Sequence, residues 1–209
     1  MALTAPRLGT LLSALLLPPG AVLRRLVRQL PRPVLARWDA LGRTRRVPGW
    51  GGADAHDNLR LPGPRGGLPL LSYHDSFRAV LNVLLVRERS AEGVREALAA
   101  GRGWVAFELS GRSEGFRFAL FEAGPGGAWL ADMGAELRWR PGLELRAAAP
   151  GGAQLVLLRD GRPLARARGR LVARPPGPGV YRIEAYLGAE PFILSNAIYL
   201  RSGAAAEPP

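Results

Sequence analysis

The sequence predicts an α+β protein in which helices come first and an antiparallel β-sandwich follows. Two patterns carry that expectation. In the first fifty residues, apolar side chains recur at spacings of three and four, the period of a helix. Beyond residue 110, short stretches alternate apolar with polar residues and are separated by turn residues, with no helical stretch between them, the pattern of a sandwich.

Leu8, Leu11, Leu12, Leu15 and Leu16 form the apolar stripe of a first helix, which Pro18 and Pro19 stop. Val22, Leu23, Leu26, Val27 and Leu30 form a second, with Arg24, Arg25 and Arg28 opposite and Pro31 and Pro33 at its end. A third, over residues 34–41, has Leu35, Trp38 and Leu41 as its inner face. Residues 47–67 are crowded with Gly and Pro and read as loop. The apolar run from Val80 to Val86 suits a strand buried on both faces of a parallel or mixed sheet. Ser90 is an N-cap for a helix over 91–100 that Gly101 stops, and a strand follows at Trp104 to Phe107.

Further on, Phe116, Phe118 and Leu120 alternate with polar or small residues, as do Leu143 and Leu145. Leu155 to Leu158 and Leu164 to Arg170 flank Asp160-Gly161, a strong signal for a two-residue hairpin. Residues 180–187 and 192–200 supply the last strands. Tyr181 and Tyr186 are expected to pack, one hydroxyl bonding across a corner as in Ig-like domains. The tail, 202–209, is small and polar and reads as loose.

Composition narrows the function classes. The 209 residues carry a formal net charge of +12, and every basic residue is Arg. Such a charge ordinarily points to nucleic acid. Here the arginines are scattered and accompany abundant Ala, Gly and Pro, as a GC-rich coding sequence produces, so nucleic acid is not expected as a partner. The absence of Cys excludes disulfides, thiolate metal sites and a Cys nucleophile. The apolar run at residues 11–17 is too short to span a membrane and lacks a clean cleavage site behind it, so neither a transmembrane segment nor a signal peptide is expected.

The candidate chemistry lies at Asp54 and His56. They are two residues apart, so an extended backbone directs both to one side. A carboxylate and an imidazole that converge can hold a divalent cation such as zinc, manganese or iron. Gly51 and Gly52 let the backbone bend, and Asp57 adds a carboxylate. His74, in Tyr73-His74-Asp75-Ser76, reads as a loop residue. Glu108, Glu114 and Glu122 read as surface charge, and Trp129 and Trp139 as sandwich core.

Gly51-Gly52-Ala53-Asp54-Ala55-His56 resembles the last metal-binding motif of the polymerase and histidinol phosphatase (PHP) superfamily, where a Gly-rich strand end carries an Asp-x-His pair. The flanks are similar too: Trp38-Asp39-Ala40-Leu41 with Arg45-Arg46-Val47 before the motif, and Phe77, Val80 to Val86 and Ala97 to Val105 after it. Pro178 to Tyr186 and Ser195-Asn196-Ala197-Ile198-Tyr199 resemble the β-sandwich that some bacterial members append. The resemblance covers about residues 34–201. It implies residues 1–109 as the C-terminal part of a PHP-like (β/α) barrel, a barrel remnant, and 110–201 as an Ig-like β-sandwich. It implies metal-dependent hydrolysis of phosphate esters, with Asp54 and His56 as metal ligands and zinc, manganese or iron as the cation. The family's opening His-x-His motif and its intermediate Glu and His motifs are absent. The chain is therefore expected to be a C-terminal fragment, inactive alone, whose partners are a phosphate-ester substrate or a missing N-terminal barrel half. A truncated gene, an internal start codon or a split protein would each produce it. The alternative is a non-catalytic sandwich that binds or docks a partner.

Overall fold

The computed structural model describes residues 30–53, 60–61, 68–69 and 73–203. The two helices expected before residue 30 and the tail beyond 203 lie outside the described residues.

Helix α1 spans Arg32–Gly42, with Pro33 in its first turn, where a missing N–H costs nothing. Of the expected inner face, Leu35 is buried and Trp38 is half-buried against the same cluster, but Leu41 is exposed and Asp39 and Gly42 are buried in its place. Asp39 has a charged partner under the helix, described below, and that pair sets the rotation of α1. Short strands β1 (Arg60–Leu61) and β2 (Leu68–Pro69) pair antiparallel, and α2 covers Tyr73–Ala79, so His74 lies on a helix.

Strand β3 (Leu81–Leu84) and strand β4 (Gly103–Ala106) flank α3 (Ala91–Ala100). The capping of α3 follows the sequence reading: the Ser90 side chain accepts a hydrogen bond from Gly93 N at 3.0 Å, and Gly101 closes the helix at φ 70°. The strand at 80–86 departs from it. β3 pairs antiparallel with β4, forms the end of its sheet and is only half-buried, with Asn82 exposed. Its apolar run is explained by Leu81, Val83 and Leu85, which pack on the main core from the sheet's end.

The remaining strands are β5 (Arg117–Glu122), β6 (Trp129–Asp132), β7 (Glu136–Arg138), β8 (Leu143–Ala148), β9 (Gln154–Arg159), β10 (Arg162–Arg168), β11 (Arg170–Ala173), β12 (Gly179–Leu187), β13 (Glu190–Ser195) and β14 (Ile198–Arg201). One sheet has the order β11-β8-β5-β6. The other runs β10-β9-β12-β13-β4-β3, with β14 continuing beside β12 and pairing with β7. Pairing is antiparallel throughout except between β14 and β7. β3 and β4 thus belong to the same sheet as β12 and β13.

The two sheets face each other across one core, which makes the protein a β-sandwich. Phe118, Leu120, Leu143, Leu145 and Leu171 come from the smaller sheet, and Leu155, Leu157, Tyr181, Ile183, Ile193 and Ile198 from the larger. Trp104 meets Phe116 edge to face, ring centroids 5.2 Å apart. The hairpin expected at Asp160-Gly161 is present: Arg159 pairs with Arg162, and both turn residues take positive φ. The corner bond is present too, from the Tyr181 hydroxyl to Gly177 O at 2.5 Å.

Candidate functional site

Strand β12 alternates with period two. Tyr181, Ile183 and Ala185 enter the sandwich core, and Arg182, Glu184 and Tyr186 face the other way, toward α1. Arg182, 2% exposed, grips Asp39 with two hydrogen bonds of 2.6 and 2.7 Å and reaches Glu184 at 3.0 Å. Arg32, at the other end of α1, binds both Glu184 oxygens and the Tyr186 hydroxyl. Tyr186 donates to Glu184 at 2.5 Å. The Arg182 guanidinium also lies over the Trp38 ring at 5.3 Å.

Burial by itself would destabilise the charges of Glu184 and Arg182. Their partners outweigh it. Burial raises the Glu184 pKa, but the Tyr186 hydrogen bond and the Arg182 and Arg32 charges bring it below the ordinary carboxylate value. Burial lowers the Arg182 pKa, but Asp39 and Glu184 raise it above its ordinary value.

With α1 fixed, the chain that leaves it is held in an unusual way. Residues 47–51 cross the molecule without a main-chain ladder. Three side chains take the ladder's place, at alternate residues. The Tyr199 hydroxyl accepts from Val47 N and donates to Val47 O, both at 3.1 Å. The Asn196 amide accepts from Gly49 N at 2.7 Å and donates to Gly49 O at 3.2 Å. The Asn82 amide accepts from Gly51 N at 2.9 Å and donates to Gly51 O at 2.8 Å. A primary amide presents one donor and one acceptor side by side, as a neighbouring strand's backbone does. Burial pushes the Tyr199 phenol above its usual pKa, so the hydroxyl keeps the proton it donates.

Both glycines in this row are required by close approach. A Cβ at Gly49 would lie 2.6 Å from the Trp38 ring, and one at Gly51 would lie 2.6 Å from Val80 Cγ1 and 2.8 Å from Val105 Cγ1. Trp38 also donates from its indole N–H to Val47 O at 2.6 Å. Asn196 is 1% exposed and sits at the break between β13 and β14, where its Nδ2 also donates to Gly103 O at 3.1 Å. The constraint ends at Gly51, for a Cβ at Gly52 would meet nothing within 4 Å.

Asp54, His56 and Asp57 begin three residues beyond the last clamp and lie outside the described residues. For His74 the backbone alone is described. Among the described residues, no group of three or more Asp, Glu or His is placed to hold a metal ion. The described segment before the predicted metal pair ends at Ala53, one residue before Asp54. Asn82, Asn196 and Tyr199 were not singled out by the sequence reading as holding residues. Their signal is faint: two amides and a phenol far apart in sequence, on strand residues where packing is the usual role.

Comparison with protein-family models, with curated proteins and with solved structures finds no match to this chain.

Proposed function

We propose that these residues are the C-terminal part of a PHP-type metal-dependent phosphoesterase, contributing Asp54 and His56 to a metal site completed by other ligands. One observation carries the reading. The segments that resemble the family are bonded to one another although they are far apart in sequence. Trp38 and Asp39 of α1 bind Val47 and Arg182, and the Ser195–Tyr199 segment binds Val47, Gly49 and Gly103. Trp38, Asn196 and Tyr199 among them hold the segment 47–49 that leads toward Asp54 and His56. In this reading the sandwich is Ig-like, supported by the Tyr181 corner bond.

One carboxylate and one imidazole suit zinc, manganese or iron, but such ions take four to six ligands. Two are too few for tight binding. When bound, the metal would lower the pKa of water and stabilise charge on phosphate oxygens. The residues of this chain would orient two donors and would not catalyse turnover unaided.

Calorimetric titration with manganese and with zinc tests this. Weak saturable binding is expected for the wild type and none for Asp54→Ala or His56→Ala, with phenyl phosphate turnover at background. Equal metal uptake by all three proteins overturns the site. Turnover abolished by Asp54→Ala overturns the predicted inactivity and keeps the site.

A second reading, a non-catalytic docking module, is favoured by β3 and β4, which extend the sandwich's own sheet in antiparallel fashion. Absence of metal binding by the wild type would favour it.

A further inference from the structure

A cleft of about 440 Å³ opens where the β9–β10 hairpin meets the C-terminal end of α1. Arg43, Arg159, Asp160, Arg162, Pro163 and Leu164 line it. We propose that this cleft binds a phosphate monoester, the phosphate between Arg43 and Arg162 and the organic part against Pro163 and Leu164. This inference is independent of the metal pair.

The charge balance of the cleft is the first argument. Asp160 is its one acid, and that carboxylate is already engaged: Oδ1 accepts from Val180 N at 3.0 Å, and Oδ2 lies 3.7 Å from Arg159. Arg159 is committed in turn, donating to Pro178 O at 2.6 and 3.2 Å. Arg43 and Arg162 remain. Both are exposed, and neither forms a salt bridge with a carboxylate among the described residues. Among the described residues the Arg43 guanidinium donates one hydrogen bond, a long one of 3.4 Å, to Asp160 O. No acidic residue occurs in sequence between Asp160 and Glu184. Two guanidiniums on one concave wall repel each other, and an anion between them relieves that cost.

The second argument is shape. The planar fork of a guanidinium matches the oxygens of a phosphate and binds them in pairs. The cleft is within the size range of small-molecule sites and larger than a bare phosphate needs. Leu164 is 41% exposed there, an apolar surface without cover. The hairpin that carries Arg162 is fixed: Asp160 and Gly161 both hold positive φ, and Gly161 is pressed on Asp39, so that a Cβ there would lie 2.8 Å from Asp39 Oδ2. Arg162 therefore follows a turn that is seated against Asp39 of α1.

Isothermal titration of the full chain with phenyl phosphate and with inorganic phosphate, at constant ionic strength and with EDTA present, tests the proposal. Saturable binding is expected, several-fold tighter for phenyl phosphate. Arg162→Ala and Arg43→Ala should each weaken it about tenfold, the loss of one charge-assisted contact. Arg170→Ala, an equal change of charge on exposed β11 outside the cleft, should leave it unchanged. All three positions are exposed, and circular dichroism will verify that the variants fold. The proposal is overturned by absence of saturable binding, by equal affinity for the two anions, or by an Arg170→Ala effect as large as that of Arg162→Ala. Binding that survives Arg162→Ala and disappears with Asp54→Ala would place the anion elsewhere and overturn it as well.

Discussion

Removing Asp39 tests the account of how α1 is seated. In Asp39→Ala the Arg182 guanidinium, 2% exposed, loses two hydrogen bonds of 2.6 and 2.7 Å and its nearest negative charge. Breaking a buried pair on one side costs about 3–5 kcal/mol. Arg182 keeps Glu184 at 3.0 Å, but Glu184 is shared with Arg32, so the charge is only part-compensated. That places the loss at the low end, about 3 kcal/mol. For a chain of this size each kcal/mol lowers Tm by about 2–4 °C, so a drop of roughly 6–12 °C is expected. The double variant Asp39→Leu/Arg182→Met removes both charges and keeps the volume filled. It should recover part of the loss, because a buried pair gains little over apolar packing and Glu184, deprived of Arg182, keeps Arg32 and Tyr186. Urea unfolding followed by tryptophan fluorescence measures all three. A cost below about 1 kcal/mol for Asp39→Ala would refute the reasoning, since a surface pair costs no more than that. So would a double variant as unstable as the single one.

Glu184 makes the network acid-sensitive. Its folded pKa lies below the unfolded value of about 4.3, so its stabilising contribution is complete above that pH and is lost as pH falls through the folded pKa. The urea midpoint should therefore fall on acidification below about pH 4.3, and Glu184→Gln should flatten that limb. Gly51→Ala should cost about 1–3 kcal/mol by forcing a methyl onto Val80 and Val105, read as a lower urea midpoint at unchanged slope. Tyr181→Phe removes the corner bond and should cost about 1 kcal/mol by the same measurement. Phe118→Ala, in the centre of the sandwich core, should cost about 3–5 kcal/mol.

Features with a local cause could be read from the sequence. The ends of α3 follow from Ser90 and Gly101, the β9–β10 turn from Asp160-Gly161, and the inward face of β8 from strict alternation. Features with a distant cause could not. The rotation of α1 is set by Arg182, 143 residues away from Asp39. An apolar run like that of β3 fits a strand buried on both faces and a sheet-end strand that packs on a core, so its neighbours were undetermined. β6 and β7 are short, and β7 is held by parallel pairing to β14, which no local pattern announces. For the candidate site, residue types suggest the metal pair, and the structure describes the segment 47–51 that precedes it. The residues that hold that segment are far apart in sequence and meet only in the fold.

The row of clamps at residues 47, 49 and 51 governs how this segment comes loose. A β-ladder shares its bonds with a continuous partner strand and separates cooperatively. Here each grip belongs to a different part of the molecule: Tyr199 on β14, Asn196 in the break before it, Asn82 on β3. Release of Asn82 frees Gly51 and leaves the inner two intact. The segment can peel in three discrete steps from its distal end, so amide exchange should rise stepwise from Val47 to Gly51 and not as one block.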